Sequence, residues 1–415
     1  MGWLHRGNAM SKNIVVCADG TGEWGLKKTN VAQLFAALDL SNREKQIACY
    51  SPGVGTIVDP EVSTLVLRSD PGVVYVCSRD PRLAISRYIK CWAGQAVGYG
   101  LFENVENLYR VLIDHYSEGD RIYLFGFSRG AFTVRVLAGL LYRCGVLLPQ
   151  HRGRYREAFN LYKPHLDGLT PEALLKLKAD AKDFRRRFSK PCKEISFLGV
   201  WDTVKSVGYI WPRSLPHTRR NPIVKKVRHA MSLDERRSFF LPTTWGYADG
   251  NFPAGIEDQD VREIWFAGNH ADVGGGYEEE GDLAIISLRW MINEATACGL
   301  LIEKSRRQEI FAHKPEPRLK SHDELKKRGW RLSEFLPRWE LNNDSSPPRR
   351  LFRWGPSGRR CIRNFARKGI LLIDSHARRF YDTAASPWSG IEGKTTVEFV
   401  ETASLAPDIR LHTTP

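Results

Sequence analysis

Short apolar runs alternate with amphipathic stretches along most of the chain. Runs of β-branched and other apolar residues predict five strands, at 14–19, 46–50, 121–127, 194–200 and 262–268. Apolar residues at helical spacing, each time ended by a glycine, predict helices at 103–119, 129–145 and 282–299. Strands alternating with helices predict an α/β fold, a mainly parallel sheet flanked by helices.

Three stretches interrupt this alternation and are predicted to be insertions or caps. Residues 56–92 include one further strand candidate, VVYVC, and residues 150–191 contain an amphipathic helix at 170–188 with a basic outer face. This helix is either a surface helix packed on the core or a lid or membrane-docking helix. Residues 304–368 are rich in Arg, Lys and Pro, which favours loops and short helices.

These interruptions divide the chain into three predicted parts. Residues 1–12 carry no clear periodicity and are expected to be a disordered leader. Residues 13–300 form the expected catalytic domain, with inserted helical cap segments at about 56–92 and 150–191. Residues 301–415 are expected to form a basic cap or extension packed on the core.

The composition of the 415 residues narrows the function classes. No apolar run reaches the roughly 20 residues of a membrane-spanning helix, and the first residues lack the apolar segment of a signal peptide. We therefore expect the protein to be cytoplasmic as synthesised. Export by a route that uses no signal peptide remains an open alternative. The eight scattered cysteines form no CxxC pair, so neither disulfides, a metal nor another cofactor is expected.

The formal charge of +15 favours an anionic partner. The basic residues lie mainly in three segments, 151–191, 213–237 and 304–368, and in no recognisable nucleic-acid module. We therefore expect peripheral contact with an anionic membrane and no specific nucleic acid. The oligomeric state stays open.

The segment YLFGFSRGAF carries the strongest chemical signal. A predicted strand enters Gly126-Phe127-Ser128-Arg129-Gly130 and a predicted helix follows at once. This is the context of a nucleophile elbow, in which a tight turn exposes the serine hydroxyl above the strand ends. The alternative is a serine with only a structural role in the turn.

A nucleophilic serine needs a base and an acid, which α/β-hydrolases place downstream in the order acid, then histidine. Asp202 follows the predicted strand at 194–200, and His270 follows the one at 262–268. Asp202 has the alternative of capping its own turn. His229 competes with His270, but it falls in an expected helix beside apolar neighbours, which favours a structural role.

The end of the first strand supplies further candidates. The backbone N–H groups of Gly20 or Thr21 are expected to complete an oxyanion hole with that of Arg129. Asp19 is expected to hold Arg129 or its own loop, and Asp272 to bond its own turn or orient the histidine loop. A metal site made of Asp19, Asp272 and His270 is the alternative for these carboxylates.

The ordered segments ADGTGEW, TNVAQLF, YSPGVGT, GLFENVENLYRVL, YLFGFSRGAFTVRVLAGLL, FLGVWDTVKSVG, HAMSLDERRSFF and WFAGNHADVGGGY resemble the α/β-hydrolase family labelled domain of unknown function 2235. That family includes catalytic domains of type VI secretion phospholipase effectors. The resemblance covers about residues 13–300 and implies a triad at Ser128, Asp202 and His270. The chain departs from the family pattern at Ala18, at Gly268-Asn269 and in the insertion at 56–92.

Together these patterns predict a serine hydrolase of carboxylic esters, with phospholipids or other lipid esters as substrates. Ser128 attacks, His270 takes its proton and Asp202 orients the imidazole, through an acyl-enzyme. The alternatives are a hydrolase of small soluble esters or peptides, and a non-catalytic module that docks on membrane or nucleic acid.

Overall fold

A computed structural model gives the fold of most of the chain. The described residues are 11–20, 29–53, 71–76, 97–163, 169–204, 215–238, 240–246, 259–277, 282–313, 321–326, 331, 334–335, 338–342, 349–354, 370–375, 377 and 396–402. Most of the expected leader, most of the predicted insertion at 56–92, and Thr21 lie outside them.

A parallel sheet forms the centre of the described fold. The strands, in chain order, are β1 (Asn13–Ala18), β2 (Gln46–Ser51), β3 (Val73–Val76), β4 (Arg121–Phe127), β5 (Val146–Leu147), β6 (Ser189–Lys190), β7 (Phe197–Trp201), β8 (Lys226–Ser232), β9 (Asp260–Phe266), β10 (Arg338–Asn342), β11 (Arg349–Arg353), β12 (Ile370–Asp374) and β13 (Thr396–Val400). Nine of them pair side by side in the order β13-β12-β9-β8-β7-β4-β1-β2-β3, all parallel. The short strands β5 and β6 pair separately.

Helices cover both faces of this sheet. They are α1 (Asn30–Ala37), α2 (Val97–His115), α3 (Arg129–Cys144), α4 (Tyr155–Tyr162), α5 (Pro171–Phe188), α6 (His270–Gly274), α7 (Asp282–Thr296) and α8 (Lys304–Ala312). Helices α2, α3 and α4 share one apolar core with the sheet, and α1 and α7 share the other. The predicted α/β-hydrolase-like fold is therefore confirmed.

The sequence pattern explains why these elements form. Strand β1 is buried on both faces, which is why it is a continuous apolar run and not an alternating one. Helix α2 buries Val105, Leu108 and Leu112, three residues of the predicted stripe. In α5 the Thr170 side chain caps the helix by accepting the Ala173 N–H. No helix in these segments is long and apolar enough to cross a bilayer.

The expected helix around His229 is wrong, because this segment is strand β8 near the middle of the sheet. Its charged residues obscure the pattern, since a buried strand normally reads as apolar. Arg228 is nevertheless buried, and it pairs with Asp260 at 2.7 Å and Glu294 at 2.5 Å. Paired charges thus replace the apolar run that would have identified the strand.

The chain beyond residue 300 contains more strand than its composition predicted. Strands β10 and β11 form an antiparallel pair within the stretch expected to hold loops and short helices. Strand β12 pairs with β9, and β13 pairs with β12, so both extend the central sheet. Helix α8 and a short 3₁₀ turn at Glu324–Lys326 do match the expected short helices.

Candidate active site

Ser128 lies in a strained turn between β4 and α3. Its φ of 55° and ψ of −121° place it in a region that side chains rarely adopt. A Cβ atom on Gly126 would lie 2.7 Å from the backbone of Ala131, and one on Gly130 would overlap the carbonyl oxygen of Ala18. The two glycines therefore permit the close packing of strand, turn and helix that this turn requires.

Asp202 follows β7, the strand that pairs with β4. It is fully buried and has a positive φ of 35°. Its amide donates to the carbonyl oxygen of Ala230 at 2.7 Å, and its Oδ1 accepts the N–H of Ser232 at 3.1 Å. These bonds to β8 hold the carboxylate at the carboxyl end of the sheet.

His270 and Asp202 form a direct hydrogen bond. His270 Nδ1 lies 2.6 Å from Asp202 Oδ2. The carboxylate accepts only, so Nδ1 carries the proton and Nε2 presents its lone pair. Burial lowers the pKa of His270, although the bond to Asp202 acts in the opposite direction. The imidazole is therefore neutral near pH 7, as a general base must be.

Local structure fixes the His270 ring beside the serine turn. The loop begins α6 with a capping box, in which the Asn269 side chain accepts the Asp272 N–H and Asp272 accepts the Asn269 N–H. The ring packs between Phe127, at 4.6 Å between centroids, and Phe240, at 4.8 Å. Because Phe127 immediately precedes Ser128, this packing brings the histidine to the serine turn.

The serine and the histidine are not hydrogen-bonded to each other. Neither Ser128 Oγ nor His270 Nε2 bonds to any residue in the described ranges. Such bonds are often long in a free enzyme and tighten when substrate binds. The structure thus brings the three predicted residues to the same edge of the sheet, with one of the two expected hydrogen bonds formed.

Asp19 holds its own loop. It is buried, and its carboxylate accepts hydrogen bonds from the hydroxyls of Thr29 and Tyr50 and from the Gly20 N–H at 2.7 Å. Burial raises the pKa of Asp19, and these three bonds oppose the rise. A Cβ on Gly20 would lie 3.1 Å from that of Ser128, so the loop passes close to the serine.

The expected oxyanion donors differ in their surroundings. Arg129 is the first residue of α3, where the amide belongs to the helix N-terminus and its positive dipole end. The Gly20 amide already donates to Asp19, so a role in oxyanion binding requires it to exchange that bond for one to substrate.

Asp272 joins the histidine loop to a distant part of the chain. Its Oδ1 lies 2.6 Å from Nδ1 of His322, and its Oδ2 accepts the N–H groups of His322 and Asn269. The carboxylates of Asp19 and Asp272 and the ring of His270 therefore each bond to different residues, whereas the ligands of one metal ion would converge on one point. Within the described ranges no three His, Cys, Asp or Glu side chains form a metal-binding group.

Sequence reasoning missed a buried ion pair beside His270. Glu235 and Arg237 pair at 2.7 Å, and Glu235 accepts the His270 N–H at 3.3 Å. The Arg237 guanidinium lies 3.8 Å from the ring centroid of Phe240, and its charge contributes to lowering the pKa of His270. The available signal was the charged run DERR, which begins two residues after the end of β8.

Comparisons with known proteins agree with the motif pattern. The family model described as the type VI secretion phospholipase effector Tle1-like catalytic domain matches residues 12–294, which confirms the resemblance. The uncharacterized protein YEL023C of Saccharomyces cerevisiae is 34% identical over 236 residues, 56% of this chain and 32% of that protein. The chain therefore matches about a third of that relative's length.

Two solved structures are similar at low sequence identity. A crystal structure of an uncharacterized protein from Pseudomonas aeruginosa is 18% identical, with a TM-score of 0.39 over 79% of this chain and 51% of that chain. The structure of the Tle1 effector bound to the VgrG spike from the type 6 secretion system is 14% identical, with a TM-score of 0.34 over 76% of this chain and 77% of that chain.

Proposed function

The chain belongs to the family of type VI secretion phospholipase effector Tle1-like catalytic domains, and from this premise we propose that it is a serine hydrolase of phospholipid esters. The observation that carries the proposal is the bond of 2.6 Å between His270 and Asp202, at the same edge of the sheet as the strained turn of Ser128. A neutral histidine held by a buried carboxylate is the base that a serine nucleophile needs.

The proposed reaction passes through an acyl-enzyme. Ser128 Oγ bonds to the ester carbonyl carbon while its proton moves to Nε2 of His270. When the tetrahedral intermediate collapses, the ester C–O bond breaks and His270 gives that proton to the leaving alcohol. Water, activated by His270 in the same way, then releases the fatty acid and restores Ser128. Asp202 holds the imidazole and stabilises its charged form throughout.

The carbonyl oxygen becomes negative in each tetrahedral intermediate and needs hydrogen-bond donors. We assign the first donor to the backbone N–H of Arg129, at the positive end of α3. The second falls to Gly20, once its amide leaves Asp19, or to Thr21, which lies outside the described residues. The close approach of Gly20 to Ser128 supports the first choice.

The substrate class follows from the family and from the charge. The family's own description names phospholipase effectors, and the net charge of +15 favours contact with anionic phospholipid surfaces. A hydrolase of small soluble esters or peptides is the second candidate, since the same three side chains serve both reactions. A non-catalytic docking module has no physical need for the strain at Ser128.

Labelling with a fluorophosphonate probe followed by peptide mapping tests the nucleophile. We expect a label on Ser128, and hydrolysis of p-nitrophenyl esters or phospholipid vesicles that Ser128→Ala abolishes. Ser196→Ala is the matched control, because Ser196 lies just before the opposite, amino end of β7. Absence of label from Ser128 in folded protein, with no turnover on either substrate, would overturn the proposal.

A further inference from the structure

A segment beyond the family-matched region is bonded to the loop that carries His270. His322 bonds through Nδ1 to buried Asp272, and its ring stacks on Tyr277 at 3.8 Å between centroids. The Tyr277 hydroxyl donates to Glu324 at 2.7 Å, and the Asn269 side chain donates to the His322 carbonyl oxygen at 2.9 Å. Residues 321–326 therefore lie against the histidine loop.

The same part of the chain is also bonded to the segment after β8. Arg236 pairs with Asp323 at 3.3 Å, and Glu334, which is buried, accepts the N–H and hydroxyl of Ser238 at 2.8 and 2.9 Å. Two residues further along, Phe240 packs on the His270 ring. Two parts of the sequence thus meet beside the candidate active site: residues 236–238 with Phe240, and residues 321–326 with Glu334.

These two stretches also expose apolar and basic side chains. Phe335, next to the buried Glu334, is 61% exposed, and Leu241, next to Phe240, is 37% exposed. Lys326 and Arg331 are exposed as well. We call Leu241, Lys326, Arg331 and Phe335 the rim residues. Large apolar side chains and cations that are exposed in the same parts of the sequence, near a candidate lipase site, call for a physical explanation.

An anionic phospholipid surface fits this combination of side chains. Apolar side chains insert at the boundary between headgroups and acyl chains, while Lys and Arg contact headgroup phosphates. The surrounding sequence, residues 304–368, contains nineteen Lys and Arg against seven Asp and Glu, so its charge complements such a surface. Nucleic acid would use the cations but gives no reason to expose an aliphatic leucine.

We propose that the rim residues dock the protein on an anionic phospholipid bilayer, so that the site of Ser128 faces its substrate at the membrane surface. The inference rests on the proposed function for its substrate class. It adds that the docking surface comes partly from residues after 300, which the His322–Asp272 and Ser238–Glu334 bonds hold beside His270.

Vesicle co-sedimentation of the full chain carrying Ser128→Ala tests this docking without lipid turnover. We expect binding to vesicles of mixed phosphatidylcholine and phosphatidylglycerol, weaker binding to phosphatidylcholine alone, and loss of binding as salt rises. Adding Leu241→Ser and Phe335→Ser should weaken binding about tenfold. Lys326→Glu with Arg331→Glu should weaken binding to the anionic vesicles about tenfold.

Helix α5 supplies matched controls for both pairs. Leu175→Ser removes a leucine that is 66% exposed, and Lys176→Glu with Lys178→Glu reverses two exposed charges on the same helix. If these controls weaken vesicle binding as much as the rim variants do, the docking surface is not the rim. Absence of binding to anionic vesicles, or tighter binding to a DNA duplex than to vesicles, would equally overturn the proposal.

Turnover separates this proposal from the proposed function. In the protein with Ser128 intact, the rim variants should lose about tenfold more activity on anionic vesicles than on a short soluble ester. Equal losses on both substrates would contradict interfacial docking while leaving the hydrolase in place. A protein inactive on every ester that still binds vesicles through the rim would instead refute the hydrolase proposal and keep the docking surface.

Discussion

Two histidine–carboxylate pairs, one inside the central sheet and one at its carboxyl edge, differ in what their second ring nitrogen does. His270 Nδ1 bonds Asp202 at 2.6 Å, and His229 Nδ1 bonds Glu263 at 2.8 Å. Burial lowers the pKa of both imidazoles. The Nε2 of His229, however, accepts the backbone N–H of Thr203 at 3.1 Å, whereas that of His270 bonds no residue in the described part of the chain.

This difference teaches that a histidine beside a carboxylate is not by itself a general base. His229 uses both nitrogens to join β8, β9 and the turn after β7, so its lone pair is already engaged. The bond from Thr203 to His229 is structural, but it also fixes the backbone next to Asp202. Asp202 has a positive φ, and such a strained conformation needs support from its surroundings. The His270–Asp202 pair is thus suited to proton transfer, and the His229–Glu263 pair is suited to holding Asp202 in position.

Replacing each histidine by alanine tests the comparison most directly. His270→Ala should lower kcat on a soluble ester by about 10⁴-fold or more, because Ser128 then has no base. Stopped or continuous ester assays on folded protein, checked by circular dichroism, measure this. A His229→Ala variant with an equal loss of kcat in its folded fraction would contradict the division of roles between the two histidines.

Asp202→Asn should produce the next largest effect. An asparagine can donate to Nδ1 of His270 and so favour the tautomer that carries the proton on Nε2. In that tautomer Nε2 cannot accept the Ser128 proton. We therefore expect kcat to fall by about 10³- to 10⁴-fold. KM should change far less, since Asp202 is fully buried and does not line the surface. Glu263→Asn is the comparison variant, and a similar fall in kcat there would contradict the distinction.

The His270–Asp202 half of this comparison, which we propose to be catalytic, could be predicted from the sequence because its position depends on local pattern. Parallel strands end at one edge of a sheet, so residues at or soon after the ends of β4, β7 and β9 come to that edge whatever the lengths of the intervening connections are. Glycines at 126 and 130 and the family motifs then identified Ser128, Asp202 and His270 in chain order. The fold class followed from the same alternation of strands and helices.

The other half could not be predicted, for physical reasons that differ by residue. Strand β8 contains Arg228 and His229, and these polar side chains find their partners on β9 and α7, so no local pattern marks the strand as buried. The His322–Asp272 bond joins residues 50 apart, and the sequence around His322 carries no periodicity that would place it there. Long-range pairing of single side chains leaves no trace in one sequence.

His229→Ala should reduce stability more than it reduces catalysis. Removal of the ring leaves the buried Glu263 carboxylate and the Thr203 N–H short of a partner, so we expect the free energy of unfolding to fall by about 2 to 4 kcal/mol. The kcat of the folded fraction should fall only about tenfold, through looser positioning of Asp202. Urea denaturation measures the first quantity and ester turnover the second.

A buried hydrogen bond far from the site provides the control for this variant. Tyr109→Phe removes the hydroxyl that donates to the Gly145 carbonyl oxygen at 2.8 Å, and it should reduce stability without changing the kcat of folded protein. If Tyr109→Phe slows turnover as much as His229→Ala does, then general destabilisation explains the rate loss and His229 has no positioning role.

The smallest expected difference between the two histidine–carboxylate pairs lies in how the free energy of unfolding depends on pH. Both histidines have folded pKa values below the ordinary 6.5, so below that pH the unfolded chain binds more protons than the folded one. The free energy of unfolding should therefore fall as pH drops through 6.5, by up to about 1.4 kcal/mol per pH unit for each histidine. Burial lowers the pKa of His217 to about 4, so this histidine adds to the same slope.

The variant His229→Gln should flatten this slope of stability against pH. It should not move the fall of kcat/KM at acidic pH, which His270 sets and which should lie below pH 6.5. A shift of that fall in His229→Gln, without a change in the slope of stability, would mean that His229 titrates in the reaction and that the two pairs are not separate in function.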